Sequence, residues 1–224
     1  MKRIVRLLLV CAFVPLPLAC GSNTPEIPAE YLTDGGGSGD SGTALTYPAG
    51  PYGSEEGSTI QNLSFAVGWS NPESVGYDLE KLDAAPLRLS DFFNPESNPA
   101  LPEVMLLNTA ALWCQACRIE HEELDTKLAE FGPRGLVIVS TLFQDAQSNP
   151  AQPVHLQLWA KQFEVGFPFF LDPEYQMGAF ARAETAPLNL VIDLRTMKIL
   201  KKITGEGGSV IWPLVDETLT ARGR

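Results

Sequence analysis

The stretch Trp113-Cys114-Gln115-Ala116-Cys117 follows an apolar run, Val104-Met105-Leu106-Leu107-Asn108, and precedes a helix-forming run from Arg118 to Phe131. Two cysteines two residues apart at a strand-to-helix junction are what dithiol–disulfide exchange requires. Cys114 falls at or just before the helix N-terminus, where unpaired N–H groups and the positive end of the helix dipole stabilise a thiolate. A thiol with a pKa of about 8.5 is only about 3% ionised at neutral pH, and lowering it to about 7 makes that about half. Cys117, one helical turn later, is close enough to attack a mixed disulfide formed at Cys114. Two other uses of the pair compete. A static bridge closing four residues removes little chain entropy and is a poor staple. A metal half-site would add His121, four residues after Cys117; structural zinc needs a fuller set of ligands, whereas copper(I) accepts fewer and softer ones.

Working outward, the 224-residue chain has room for one domain with a full core. Its net charge of −11 and the lack of a Lys/Arg cluster argue against nucleic acid as a partner. Of its four cysteines, Cys11 and Cys20 lie in the leader, so the folded region keeps only the one pair. Residues 1–6 carry Lys2, Arg3 and Arg6, and the thirteen residues 7–19 are apolar. That run is shorter than the roughly 20 residues a spanning helix needs and reads as an export signal. Leu18-Ala19-Cys20-Gly21 resembles a bacterial lipobox, although Pro17 stands where an aliphatic residue is usual. The resemblance implies a lipid on Cys20 and a mature domain in the cell envelope, on the periplasmic side of a membrane. Residues 21–47 are rich in Gly, Ser, Thr, Pro and Asp and read as a flexible tether. A coil of about 27 residues spans roughly 25–30 Å.

Residues 48–224 form the expected folded domain. Residues 60–67 have strand character, 68–85 read as a loop excursion, and 87–89 as a short strand. Residues 103–108 are the central strand. The site and its helix cover 112–131, with Leu124, Leu128 and Phe131 on a buried face and Gly132-Pro133 as the stop. Residues 136–142 are continuously apolar, as in a strand covered on both faces. Residues 153–163 read as a helix, 167–171 as a short or edge strand, and 172–183 as containing a short helix. Residues 188–192 and 197–203 read as paired strands and 209–221 as a terminal helix. The alternation predicts an α/β protein: a mixed sheet with helices on both faces and an N-terminal β-hairpin extension.

Three places resemble the thioredoxin fold, in particular the TlpA-like extracytoplasmic thiol–disulfide oxidoreductases. The first is Leu107-Asn108 leading into Trp113-Cys114-Gln115-Ala116-Cys117, with Thr109-Ala110 where the family commonly has two aromatics. The second is Glu120, at the place of a family glutamate that manages protons at the dithiol; Glu122 stands where proline is frequent. The third is Thr185-Ala186-Pro187 before the strand Leu188-Asn189-Leu190-Val191-Ile192. The resemblance implies a cis peptide bond at Pro187 facing the dithiol, with Trp113, Ala186 and Pro187 binding an extended substrate segment.

On this reading Cys114 is the nucleophile, Cys117 resolves, and Glu120 moves a proton at Cys117. No organic cofactor is required beyond the redox-active Cys114–Cys117 disulfide. The partners are a disulfide-bearing extracytoplasmic protein and a membrane electron donor. Gln115-Ala116 lacks the histidine of strongly oxidising sites, which favours reduction or isomerisation. His121 reads as a polar helix residue and not a ligand or base, and His155, Trp159 and Trp212 are assigned to helix packing or surface. A peroxide-reducing redoxin is the second enzyme reading, although Thr109 is the wrong distance from Cys114 for a peroxide-binding threonine. A copper-binding module using Cys114, Cys117 and His121 is the third.

Overall fold

The computed structural model describes residues 46–181 and 184–224. The chain divides into two units, Met1–Gly39 and Asp40–Arg224. The expected leader, the lipidation site Cys20 and nearly all of the tether lie outside the described residues. The second unit is built on β4 (Val104–Ala111), whose eight residues are all buried. β5 (Leu136–Gln144) runs parallel to it on one side. β7 (Leu188–Asp193) runs antiparallel on the other. β6 (Phe169–Leu171) extends the parallel half and β8 (Lys198–Thr204) the antiparallel half. With β2 (Gly68–Trp69) at the end, the six-stranded order is β2-β6-β5-β4-β7-β8.

The period of two along each strand sorts side chains into two cores. Val104, Leu106, Ala110, Ile138, Leu142 and Val191 face the helices α1 (Gln115–Phe131), α2 (Pro153–Gln162) and α3 (Gly208–Ala221). Met105, Leu107, Val139, Leu190 and Ile192 face the other way, against Ile60, Leu63, Phe65, Leu89 and Phe180. All three α-helices thus pack on one face. The second face is covered by a two-stranded ladder, β1 (Ser64–Phe65) with β3 (Leu87–Arg88), and by short 3-10 turns at Leu89–Phe92 and Gln176–Phe180. Among the described residues no helix is long and apolar enough to cross a membrane.

Three sequence expectations change. The α-helices do not lie on both faces: α1, α2 and α3 share one, because Leu124, Leu156, Trp159, Ile211 and Val215 join a single core. The excursion at 68–85 is not all loop. Gly68–Trp69 pairs antiparallel with Phe169–Phe170, so 169–171 is an interior strand and not an edge. Gly68 permits the approach, because a Cβ there would lie 2.6 Å from the Phe170 Cα. The β1–β3 pair is antiparallel as expected, but its strands are joined through this excursion and not by a tight turn. At the far end of β4, the fully buried Glu103 carboxylate accepts Arg195 Nε at 2.6 Å, Arg222 at 3.2 Å and Arg224 at 3.0 Å. These ion pairs bind the β7–β8 turn and the last residues of the chain to the start of the central strand.

Candidate dithiol site

β4 ends at Ala111, and a tight turn closes as Cys114 N–H donates to the Ala111 carbonyl at 3.0 Å. Cys114 caps α1 from an extended conformation, and its Sγ accepts the Cys117 N–H at 3.0 Å. That is the N-cap geometry expected to favour a sulfur anion. The two sulfurs are joined in a disulfide with Cα atoms 5.3 Å apart. Cys114 is only 3% exposed, whereas the adjacent Trp113 is 40% exposed. The Trp113 indole stands edge-on to Phe143 and donates to Gln144 Oε1 at 2.9 Å. Gln144 in turn donates to Glu184 at 3.1 Å, tying the rim of the dithiol to the segment before Pro187. Arg118 braces the turn by donating to the Leu112 carbonyl at 2.8 Å and lies over the Trp159 ring.

The Ala186–Pro187 peptide bond is cis. The next residue, Leu188, pairs with Thr109 near the end of β4. The prolyl bond therefore sits at the sheet end from which the cysteine turn departs, and Ala186 packs against the core that holds Cys114 and Cys117.

Glu120, one turn after Cys117, points into the sheet and is buried. Its Oε2 accepts Asn108 Nδ2 and its Oε1 accepts Asn189 Nδ2, each at 2.7 Å. Burial pushes the Glu120 carboxyl up to about 7, against the pull of the two amide donors, and Glu123 and Glu206 add to the rise. A carboxylate of that affinity sits between the acid and base ranges and can both take and return a proton near neutrality.

His121, expected as a polar helix residue, lies on the buried face of α1. It is 1% exposed, ringed by Trp159, Phe163, Phe167 and Phe169. Nδ1 lies 3.0 Å from the Cys117 carbonyl and Nε2 lies 3.2 Å from Ser140 Oγ. Burial pushes the imidazole down to about 4, with the Cys117 carbonyl opposing. Both nitrogens are engaged away from the sulfurs, so the ligand set supposed for copper is not assembled. Thr109 is also buried, and its hydroxyl accepts from Thr141 at 2.8 Å, turned to the face opposite α1. His155 serves locally: its Nδ1 accepts the Gln152 N–H at the start of α2. Trp159 packs, as expected, and Trp212 stacks on Phe131.

Sequence reasoning passed over three polar residues at the site. Ser140, Asn108 and Asn189 lie side by side in register across β5, β4 and β7, on the helix face. The signal was present: Asn108-Thr109, Ser140-Thr141 and Asn189 interrupt strands that are otherwise mostly apolar.

No family model matches the sequence, and a search of curated proteins returns no match. Solved structures do match. An uncharacterised conserved protein from Geobacillus kaustophilus superposes with a TM-score of 0.56 at 16% identity, over 75% of this chain and 84% of that one. The thioredoxin domain of a thiol-disulfide oxidoreductase from Bacteroides vulgatus gives 0.54 at 14% identity, over 74% and 98%. A thioredoxin-family thiol:disulfide interchange protein from Chlorobium tepidum gives 0.52 at 16% identity, over 77% and 99%. The fold is thioredoxin-like. At these identities the likeness is one of architecture, and the thioredoxin-like fold places the Cys114–Cys117 pair at its strand-to-helix junction.

Proposed function

We propose that this chain is a thiol–disulfide oxidoreductase working through Cys114 and Cys117. The observation that carries the reading is the disulfide at the N-cap of α1, one helical turn from a buried, proton-accepting Glu120. In the reducing direction the Cys114 thiolate attacks a partner disulfide, forming a mixed disulfide and releasing one partner thiolate. Cys117 gives its proton to the Glu120 carboxylate, and the resulting thiolate attacks Cys114 Sγ. The second partner sulfur leaves as thiolate, and two electrons have moved from dithiol to partner. Glu120 returns its proton to solvent or to a departing thiolate. A dithiol donor recharges the site by the reverse steps. Trp113 shields one side of the sulfurs, and the backbone at Ala186, set by Pro187, receives an extended partner segment.

The work suited to this site is reduction or isomerisation of disulfides in extracytoplasmic proteins. The signal-like leader supports an envelope location, and Cys20 supports a lipid anchor with electrons drawn from a membrane donor. Cys114→Ser should abolish reduction of a model protein disulfide, and Cys117→Ser should accumulate the mixed disulfide. Exchange retained by Cys114→Ser would sink the reading. The reduction potential of residues 21–224, equilibrated against a thiol buffer, sets the direction. A value below about −230 mV fits a reductant, and one above about −150 mV would reverse the proposed direction.

A further inference from the structure

Two routes lead from the Trp113 indole to the segment before Pro187, and both pass through the end of β5. The register slips there: Ala110 pairs with Leu142 but Ala111 with Gln144, which leaves Phe143 as an extra residue. A bulge of this kind re-aims side chains. Here the consecutive Phe143 and Gln144 both reach Trp113.

The polar route has a fixed sense. An indole N–H only donates, and an ionised carboxylate only accepts. Gln144 Oε1 therefore faces Trp113, at 2.9 Å, and Gln144 Nε2 faces Glu184, at 3.1 Å. The Gln144 carbonyl also accepts the Leu112 N–H at 3.0 Å, so this residue holds the cysteine side by backbone and side chain together. The aromatic route runs from Trp113 through Phe143 to Tyr175, whose ring stacks on Phe143 with centroids 4.1 Å apart. The Tyr175 hydroxyl gives its one hydrogen to the Thr185 carbonyl at 2.8 Å and accepts the Thr185 N–H at 3.0 Å. No other sense is open, since a carbonyl cannot donate and an amide N–H cannot accept. Tyr175 takes a left-handed backbone, with φ 51°, which residues other than glycine seldom adopt. Asp172 holds it there: its carbonyl accepts the Tyr175 N–H, and its carboxylate accepts the N–H groups of Gln176 and Met177.

We propose that Tyr175 and Gln144 are positioning residues for the partner groove. They fix Thr185 and Ala186 opposite Trp113 before a partner arrives, so the dithiol favours disulfides carried on extended polypeptide over small soluble disulfides. A segment laid along Ala186 meets a backbone that needs no further ordering, and only a partner long enough to use it gains from that. The inference rests on the exchange reading.

The test uses the pre-reduced protein carrying Cys11→Ser and Cys20→Ser, so that only the Cys114–Cys117 pair reacts. Second-order rate constants are measured with an extended peptide disulfide and with 2-hydroxyethyl disulfide, which is too short to lie along Ala186. Tyr175→Phe keeps the stack on Phe143 and removes both bonds to Thr185. It should slow the peptide reaction about tenfold and leave the small disulfide within about twofold. Gln144→Leu should do the same. Gln144→Glu combined with Glu184→Gln keeps the net charge, gives the indole N–H a carboxylate and gives that carboxylate an amide donor; it should restore the peptide rate. The potential of the cysteine pair should stay the same in all of them. If Tyr175→Phe does not fold, the Gln144 variants decide. Equal slowing of both disulfides, an unmoved peptide rate in the folded variants, or an exchanged pair no faster than Gln144→Leu would overturn the proposal. A parent protein that reacts with neither disulfide removes the dithiol reading itself, whereas an active parent with unmoved variants removes only the brace.

Discussion

Asn108 sits on the central strand between β5 and β7 and under α1, and its amide donates to the buried Glu120 carboxyl. Glu120 is held there at a cost visible in stability. Its folded-state affinity, about 7, lies above the unfolded value of about 4.3. The folded protein therefore binds the extra proton, and that contribution is full below about 4.3 and lost as the pH rises through about 7. Urea unfolding at pH 5 and at pH 8 should show the wild type losing about 2–3 kcal/mol relative to Glu120→Gln over that interval. Parallel pH curves would contradict the buried, proton-sharing carboxyl. At this scale the sequence was partly readable. The cysteines announce themselves by spacing, and Glu120 and Pro187 followed from resemblance. Ser140 and Asn189 did not, because only strand register brings them onto one rung with Asn108, and His121 did not, because only the packing of α1 on the sheet buries it beside Ser140.

Helix α1 carries Cys117 and Glu120 as well as a large share of the packing. Leu124 and Phe131 are buried, while Glu122 and Glu123 on the other face are exposed. Leu124→Ala should cost about 2–5 kcal/mol in chemical denaturation, since the sheet beneath cannot collapse into the gap. Glu122→Ala should stay within about 0.5 kcal/mol. A small effect at Leu124 would mean that α1 is held chiefly by its polar contacts. The long elements were legible because their periodicity is sustained: α1, α2, α3, β4 and β5 all lie close to the expected positions. β2 was not. Two residues cannot display a period, and Asn71-Pro72 nearby reads as a breaker. The pairing with β6 decides the matter, through a close backbone approach that propensity does not encode.

In the molecule as a whole, the Glu103 cluster is the structural counterpart of the dithiol, at the opposite end of β4. Burial raises the Glu103 carboxyl, but the hydrogen bonds from Arg195 and Arg224 outweigh it, and the group lies below the usual carboxylate range. Its contribution to stability is therefore full above about 4.3 and fades as the pH falls. Glu103→Gln should destabilise the domain by roughly 2–4 kcal/mol at pH 7 without changing the potential of the cysteine pair. Thermal unfolding and redox equilibration together check both halves; a shifted potential would mean the two ends of β4 are coupled. The sequence offered no hint of this cluster, because a carboxylate at 103 and arginines at 195, 222 and 224 meet only after the sheet has formed.

Both flanks of the sheet are already taken. On the β2 side, the Asp83 N–H bonds the Gly68 carbonyl and its side chain holds Ser70. On the β8 side, Ile199 exchanges hydrogen bonds with Gly57 and Ser58, while Ile60 bonds Met197, and Lys198, Lys201 and Lys202 add charge. A sheet guarded in this way resists edge-to-edge self-association even when the protein is concentrated. It also narrows where a visiting polypeptide can read this one by its backbone. Strand-like docking is blocked along these borders, so on the exchange reading proposed above the short stretch at Ala186 is left as the place for a guest to lay its own disulfide.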